Sequence, residues 1–428
     1  MKKVFYGFII LFFSQVTTAQ TTYLHCGQLI DMKSDRMQEK MTVVIEDGII
    51  LNVVNGYLSA PDSVELIDLK GKTVLPGFMD MHVHIEHESN PNRYLDKFTE
   101  NPSDIALGAV KYCNRTLMAG FTTVRDLGGT GVNVSLRNAI NKGDVIGPRI
   151  YTSEKSIATT GGHADPSNGV KDKWKGDPGP KEGVINSVED AYKAVRQRYK
   201  NGADCIKITA TGGVLSVAKD GQGPQFTVNE VQAVVNAAKD YGFITAAHAH
   251  GAEGMKRAVL GGIHSIEHGT KMTQEIMDLM IEKGTYYVPT ISAGKFVANK
   301  AKQPGYYPSI IVPKALEIGP QIQKTFAKAY KAGVKIAFGT DAGVSPHGDN
   351  ALEFIFMTEG GMSNFEALQS ATVNAADLMN ISSDYGTIEL GKKADIIALH
   401  DNPLEKIESV LNVPFVMKGG IVYKKVED

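Results

Sequence analysis

Eight short apolar segments recur between Gly77 and Gly343: GFMDMHVHI, GFTTVRDLG, PRIYTSEKSI, CIKITATGG, GFITAAHAHG, GIHSIEHGT, TYYVPTIS and VKIAFGTDAG. Several of the stretches between them, such as VNEVQAVVNAAKDYG and TQEIMDLMIEKG, carry apolar residues three and four apart. That is the period of a helix with one buried face. Strand and helix alternating eight times predict an α/β chain folded as a (β/α)8 TIM barrel over residues 76–385. The alternative is an open doubly wound sheet. Against it, no G-x-G-x-x-G follows the first segment, and the glycines of GGTGVNVSLRNAI lack the spacing that cradles a pyrophosphate.

The flanks read differently. MTVVIEDGIILNVV holds an Asp47-Gly48 turn between apolar runs, a hairpin signal. GKKADIIALHD and FVMKGGIVYKK are short β runs near the other end. Residues 20–75 and 386–428 are therefore expected to meet in one small β domain, a β-sandwich, with the barrel inserted between them.

The first residues form a third class. Lys2-Lys3 precede VFYGFIILFF, and SQVTTAQ follows. This is the pattern of a secretory signal peptide over residues 1–19, cleaved near Ala19-Gln20. The apolar run is shorter than the ~20 residues a membrane span needs. An exported protein, periplasmic or secreted, with no stable membrane anchor after cleavage is expected. His25 before Cys26 argues against a lipid anchor. Cys26, Cys113 and Cys205 are an odd, widely spaced set, so no disulfide framework is expected. A net charge of −2 gives no reason to expect a nucleic-acid partner.

Active sites of such barrels lie at the carboxyl ends of the strands. Six of the eleven histidines fall there: His82, His84, His163, His248, His250 and His268. His82 and His84 stand two apart in a strand and so share one face. Unpaired imidazoles on a dry face are costly, and a metal ion compensates them. Lys207 lies inside CIKITATGG on the face of Cys205, Thr209 and Thr211. An ammonium there is disfavoured. It either pairs with a buried acid or reacts with carbon dioxide to become an anionic carbamate. Asp341, in FGTDAG, is placed to cap a helix, to ligate a metal or to take a proton from water. One of Tyr286 and Tyr287 is expected to line the pocket and the other to pack between barrel and helices. His87, His264, His347 and His400 are assigned no role.

The set His-x-His, Lys, His, His, Asp on successive strands resembles the amidohydrolase superfamily in its binuclear, carboxylated-lysine form. The likeness covers nearly all of the chain after residue 19, including LPGFMDMHVH and GTIELGKKADIIAL. The wording TTVRDLGG, KITATGGVLS, AAHAHG, SIEHGT, YVPT and FGTDAG is similar to the branch of Xaa-Pro dipeptidases (prolidase-like), carboxypeptidases acting on N-acyl amino acids, and ochratoxinase-type amidases.

The resemblance implies two divalent metal ions, zinc first among the candidates. His82, His84 and Asp341 would bind one, His248 and His268 the other, and Lys207 as N6-carboxylysine would bridge them. It implies hydrolysis of a peptide-like C–N amide bond, in an Xaa-Pro dipeptide or an N-acyl amino acid, by a metal-bridged hydroxide whose proton Asp341 takes. His163, His250 and Arg125 are implied to hold a substrate carboxylate; the alternative for Arg125 is a surface position or a pairing with Asp126. Specificity is expected in the loops Ala158 to Ile185 and Ile291 to Pro320. The branch implies a homo-oligomer. A lactonase or cyclic-amide hydrolase on the same metal centre is the alternative activity. Imidazolonepropionase is a cousin that binds one metal and lacks the lysine, so Lys207 argues against it. A barrel that had lost its chemistry would usually have lost a ligand, and all six positions are filled.

Overall fold

The two ends of the chain share one sheet. The structure, a computed structural model, describes residues 21–217 and 221–426; the expected signal peptide lies outside them. The amino-terminal part supplies β1 (Thr21–Leu29), β2 (Gln38–Glu46), β3 (Ile49–Asn55) and β4 (Glu65–Pro76). Seven strands follow: β5 (Phe78–Val83), β6 (Phe121–Asp126), β7 (Arg149–Thr152), β8 (Cys205–Thr209), β9 (Ile244–Ala249), β10 (Ser265–His268) and β11 (Tyr286–Val288). The carboxyl-terminal part adds β12 (Ile396–Leu399), β13 (Phe415–Lys418) and β14 (Ile421–Lys425).

The terminal strands hydrogen-bond in the order β14-β13-β12-β4-β1-β2-β3. The β2–β3 hairpin turns at Asp47 (φ 48°) and Gly48 (φ 76°), where two consecutive positive φ values match the twist of the flanking strands. The β3 end of the sheet reaches back to the segment before β12: Ile50 N donates to Lys392 O at 2.8 Å, and Ala394 N to Gly48 O at 2.8 Å. The sheet thus curls over one apolar cluster containing Leu24, Val43, Ile67, Ile396 and Met417. The result is sandwich-like but a single sheet, because β4 pairs with both β1 and β12.

The seven middle strands are parallel and alternate with helices. They form two ladders, β5-β6-β7 and β8-β9-β10-β11. Isolated contacts join the two. On one side Ile157 N donates to Lys207 O at 2.8 Å, and Thr209 N to Ile157 O at 3.0 Å. On the other, Tyr287 N donates to Lys335 O at 2.8 Å and Met81 N to Phe338 O at 2.9 Å. The eighth expected strand is therefore an irregular segment that touches both neighbours without a continuous ladder. Gly339 shows how close it lies. A Cβ there would meet Val288 Cγ1 at 2.3 Å and His82 Cβ at 3.1 Å.

The amphipathic runs fold as expected. Val228–Lys239 is helical behind a reciprocal cap: Glu230 N donates to Thr227 Oγ1, and Thr227 N donates to the Glu230 carboxylate at 2.8 Å. Its Val231, Val234 and Ala238 join the main core, with Ile206, Ala247 and Ile266 from the strands. Tyr287 packs in that core and donates from its hydroxyl to His268 O at 2.9 Å. Tyr286 donates to Asp377 at 2.6 Å. Neither tyrosine lines the cavity described below, which corrects the expectation that one would. All three cysteines are free and buried.

Candidate active site

Strand geometry brings the rim residues together. His82 sits near the end of β5 and His84 just past it, so alternation sends both rings to one side. Asp341 reaches the same point from the irregular eighth segment. Its Oδ1 lies 3.6 Å from His82 Nε2 and 3.4 Å from His84 Nε2. That oxygen is buried and without a hydrogen-bond partner among the described residues. His268 comes from β10, its ring centroid 4.9 Å from that of His82 and 4.6 Å from that of His248. Donor atoms of His82, His268 and Asp341 all lie within 4.8 Å of one another.

The backbone is strained where these side chains leave the scaffold. His268 (φ 69°), Thr290 (φ 53°) and Asp341 (φ 58°) all occupy the left-handed region. Such conformations cluster at ligand-binding sites, where the surroundings over-determine them. Thr290 accounts for one in particular. Its hydroxyl lies 2.7 Å from His268 Nδ1, and its side chain does not cap the helix Ile291–Lys300 that it precedes. Buried Glu353 does so instead, accepting from Ile291 N and Ser292 N, each at 2.7 Å.

Hydrogen bonds fix which ring nitrogen of each histidine is free. His84 Nδ1 lies 2.6 Å from Gly128 O, and His248 Nε2 lies 3.1 Å from Gly212 O. A carbonyl only accepts, so these nitrogens carry protons and the opposite ones carry lone pairs. His82 Nδ1 faces the carboxylate of Glu267 at 2.9 Å, which leaves Nε2 free toward Asp341. Burial holds the rings neutral: His84 is pushed down to about 4, and His82, His248 and His268 well below their ordinary value. Neutral imidazoles with aimed lone pairs beside a buried carboxylate are a donor set that fits a divalent cation.

Lys207 is buried among them. Among the described residues no carboxylate lies within ion-pair distance of it, and the charges of Glu267 and Asp341 act on it through space. Burial lowers its pKa. Burial also raises that of Asp341, opposed by the charges of Lys207 and Arg93.

Arg125 is corrected. Its guanidinium is fully buried away from the cavity, donating from Nε to Met81 O at 2.6 Å and from Nη2 to Glu267 Oε1 at 2.9 Å. It neutralises Glu267, whose other oxygen orients His82. It does not pair with Asp126, which instead accepts from Ile85 N and Asn133. Sequence reasoning missed Glu267. An acid next to a rim histidine in SIEHGT, at a predicted strand exit, was the available signal.

Above the cluster opens a cavity of about 610 Å³. His163 and His250 line it as expected. His163 stacks on His248 at 4.3 Å, and His250 donates or accepts through Nδ1 with Thr270 Oγ1 at 2.8 Å. His87, given no role, also lines it, whereas His347 turns away to His87 O at 2.9 Å. Val297, Ile318 and Ile322 make an apolar wall, and Arg93, Lys97 and Lys155 add cations.

Residues 73–422 match the model of the amidohydrolase family. The chain belongs to that family. Curated relatives include an ochratoxinase of Aspergillus niger, 32% identical over 95% of this chain and 87% of that protein. An imidazolonepropionase of Fusobacterium nucleatum is 25% identical over 88% of this chain and 92% of its own. Among solved structures, a Xaa-Pro dipeptidase with methionine bound in its active site is 54% identical. It superposes with a TM-score of 0.92, covering 95% of this chain and all of the other. A prolidase complexed with N-methylphosphonate-L-proline is 32% identical, with a TM-score of 0.87 over 95% of this chain and all of that one. This amidohydrolase is accordingly a hydrolase of carbon–nitrogen bonds.

Proposed function

We propose that this amidohydrolase cleaves the amide bond of an Xaa-Pro dipeptide or a related N-acyl amino acid, using two divalent ions, zinc by preference. The observation that carries the reading is the rim itself: His82 and His84 aim free nitrogens at an unpartnered oxygen of Asp341, with His248, His268 and a solitary buried Lys207 alongside. The similarity to a Xaa-Pro dipeptidase at 54% identity supports the substrate class.

Divalent ions held there would polarise the scissile carbonyl and bring the pKa of water toward neutrality. The protein residues do the rest. Asp341 takes a proton from the attacking water and passes it to the leaving nitrogen. Glu267 and Arg125 hold the tautomer and orientation of His82. Lys207 serves as N6-carboxylysine, since a carbamate removes the cost of an unpaired buried ammonium and adds two ligand oxygens. His163 and His250 contact substrate at the rim.

The parallel strands and the irregular eighth segment form, in this reading, a (β/α)8 barrel over residues 76–385. The domain of residues 20–75 and 386–428 flanks it. The bonds linking the two ladders support that closure. The leading residues 1–19 act as a signal peptide that directs export to the periplasm or beyond, and the protein works as a homo-oligomer.

The test is amine release from dipeptides by protein loaded with zinc in bicarbonate, beside His82→Ala. Turnover before proline, lost in the variant with the fold retained, is expected. Full activity in His82→Ala would remove the site.

A further inference from the structure

Besides Lys207, three cationic side chains stand on the cavity wall, and two of them are satisfied. Lys97 Nζ donates to Asn168 O at 2.9 Å. Lys155 Nζ lies 3.8 Å from a carboxylate oxygen of Glu154. Arg93 differs. Its Nη1 is sealed from solvent and has no hydrogen-bond partner, and among the described residues no carboxylate pairs with it. Its nearby company is the ring of Tyr94, 5.8 Å from Cζ. A guanidinium carries five donors in a rigid fork suited to a carboxylate. Leaving such a donor buried and unmet costs stability, so the position is poised for an anion that the protein does not supply.

Its place in the molecule says which anion. Arg93 opens the short helix Arg93–Thr99, in the connection after β5, the strand that carries His82. It lines the same cavity as His84 and Asp341, and its charge reaches both groups. The other side chains expected to hold a carboxylate are poor anion partners. Arg125 is committed to Glu267 outside the cavity, His163 stacks on His248 at 4.3 Å, and His250 is tied through Nδ1 to Thr270 Oγ1 at 2.8 Å. The remaining wall is apolar, from Val297, Ile318 and Ile322. A ligand with an apolar acyl side and one terminal carboxylate matches that distribution.

We propose that Arg93 binds the free carboxylate of the substrate's leaving amino acid and so sets the scissile amide over the rim histidines. This rests on the amide-hydrolase reading above. It makes Arg93 a specificity-determining residue, one that separates amino acid leaving groups from their amides.

The experiment compares leucylproline with leucylprolinamide for the wild type, Arg93→Met and Arg93→Lys, with free proline and prolinamide as competing products. Loss of a charge-assisted hydrogen-bonded pair should lower kcat/KM of Arg93→Met on the acid by about 10- to 100-fold, mainly through KM. Any effect of the lost charge on Asp341 and His84 falls on both substrates, so the acid-to-amide ratio should drop by about 10-fold or more, the amide never having made the ion pair. Inhibition by proline, but not by prolinamide, should weaken in parallel. Arg93→Lys should recover part of the loss. An unchanged acid-to-amide ratio in Arg93→Met would overturn the proposal while leaving the hydrolase reading intact. A wild type that cleaves the amide as well as the acid would overturn it too. A metal-loaded wild type that cleaves neither would remove the underlying reading and the proposal with it.

Discussion

The Nδ1 atom of His82 lies 2.9 Å from Oε2 of Glu267, and both side chains are sealed from solvent. Glu267 in turn holds the guanidinium of Arg125 at 2.9 Å and the hydroxyl of Ser265 at 2.5 Å. A chain of buried polar groups beneath the rim therefore decides which nitrogen of His82 faces Asp341.

Glu267→Gln should keep the fold but weaken metal binding about 10- to 100-fold, the usual effect of losing an outer carboxylate on a ligating histidine. Glu267→Ala should behave differently. It leaves Arg125 buried and unpaired, a loss of about 3–5 kcal/mol. Chemical denaturation together with metal titration separates the two outcomes. Equal stability of the two variants would show that the pair is not the structural anchor.

Lys207→Ala should reduce bound metal from two ions and abolish turnover. Short carboxylates such as formate or acetate, added at high concentration, should restore part of the activity by entering the space of the missing carbamate. Full metal content in the unrescued variant would show that Lys207 is not a bridge.

Glu353 gives a pH-dependent signature away from the rim cluster. Burial raises its pKa from 4.5 to about 7. Between those values the folded protein binds a proton that the unfolded chain has released. Stability from this group is thus greatest at the acidic end and falls as pH rises through the window, at up to about 1.4 kcal/mol per pH unit. Denaturation midpoints of the wild type and Glu353→Gln from pH 5 to 8 should diverge in slope over that range. Parallel slopes would count against the shift.

Gly339→Ala should destabilise by about 1–3 kcal/mol, because the added methyl would overlap Val288 Cγ1 and press on His82. Thermal unfolding measures the cost. The same wedge should weaken metal binding, since it pushes β5 from the segment that carries Asp341.

Much of this was legible in the residues. Apolar segments and three-and-four spacing gave the strands and helices, and alternation alone put His82 and His84 on one face. The rim histidines, Lys207 and Asp341 stood out because polar groups in apolar runs need partners. Arg125 misled for the same reason: its partner Glu267 lies 142 positions away, and no local pattern reveals an ion pair across two strands. Arg93 sits in NPNRYLDKF, a connection with no periodicity, where only the folded cavity distinguishes it from a solvated arginine. The eighth segment read as a strand because its composition is apolar. In the structure it makes only isolated bonds to its two neighbours, and Asp341 at its end is left-handed.

The most direct test of the centre is anomalous diffraction at the zinc edge from crystals of the zinc-loaded protein grown in bicarbonate. The expected result is two peaks per chain, one among His82, His84 and Asp341 and one beside His248 and His268, with carbamate density on Lys207 between them. A single peak, or peaks away from these side chains, would contradict the two-ion assignment.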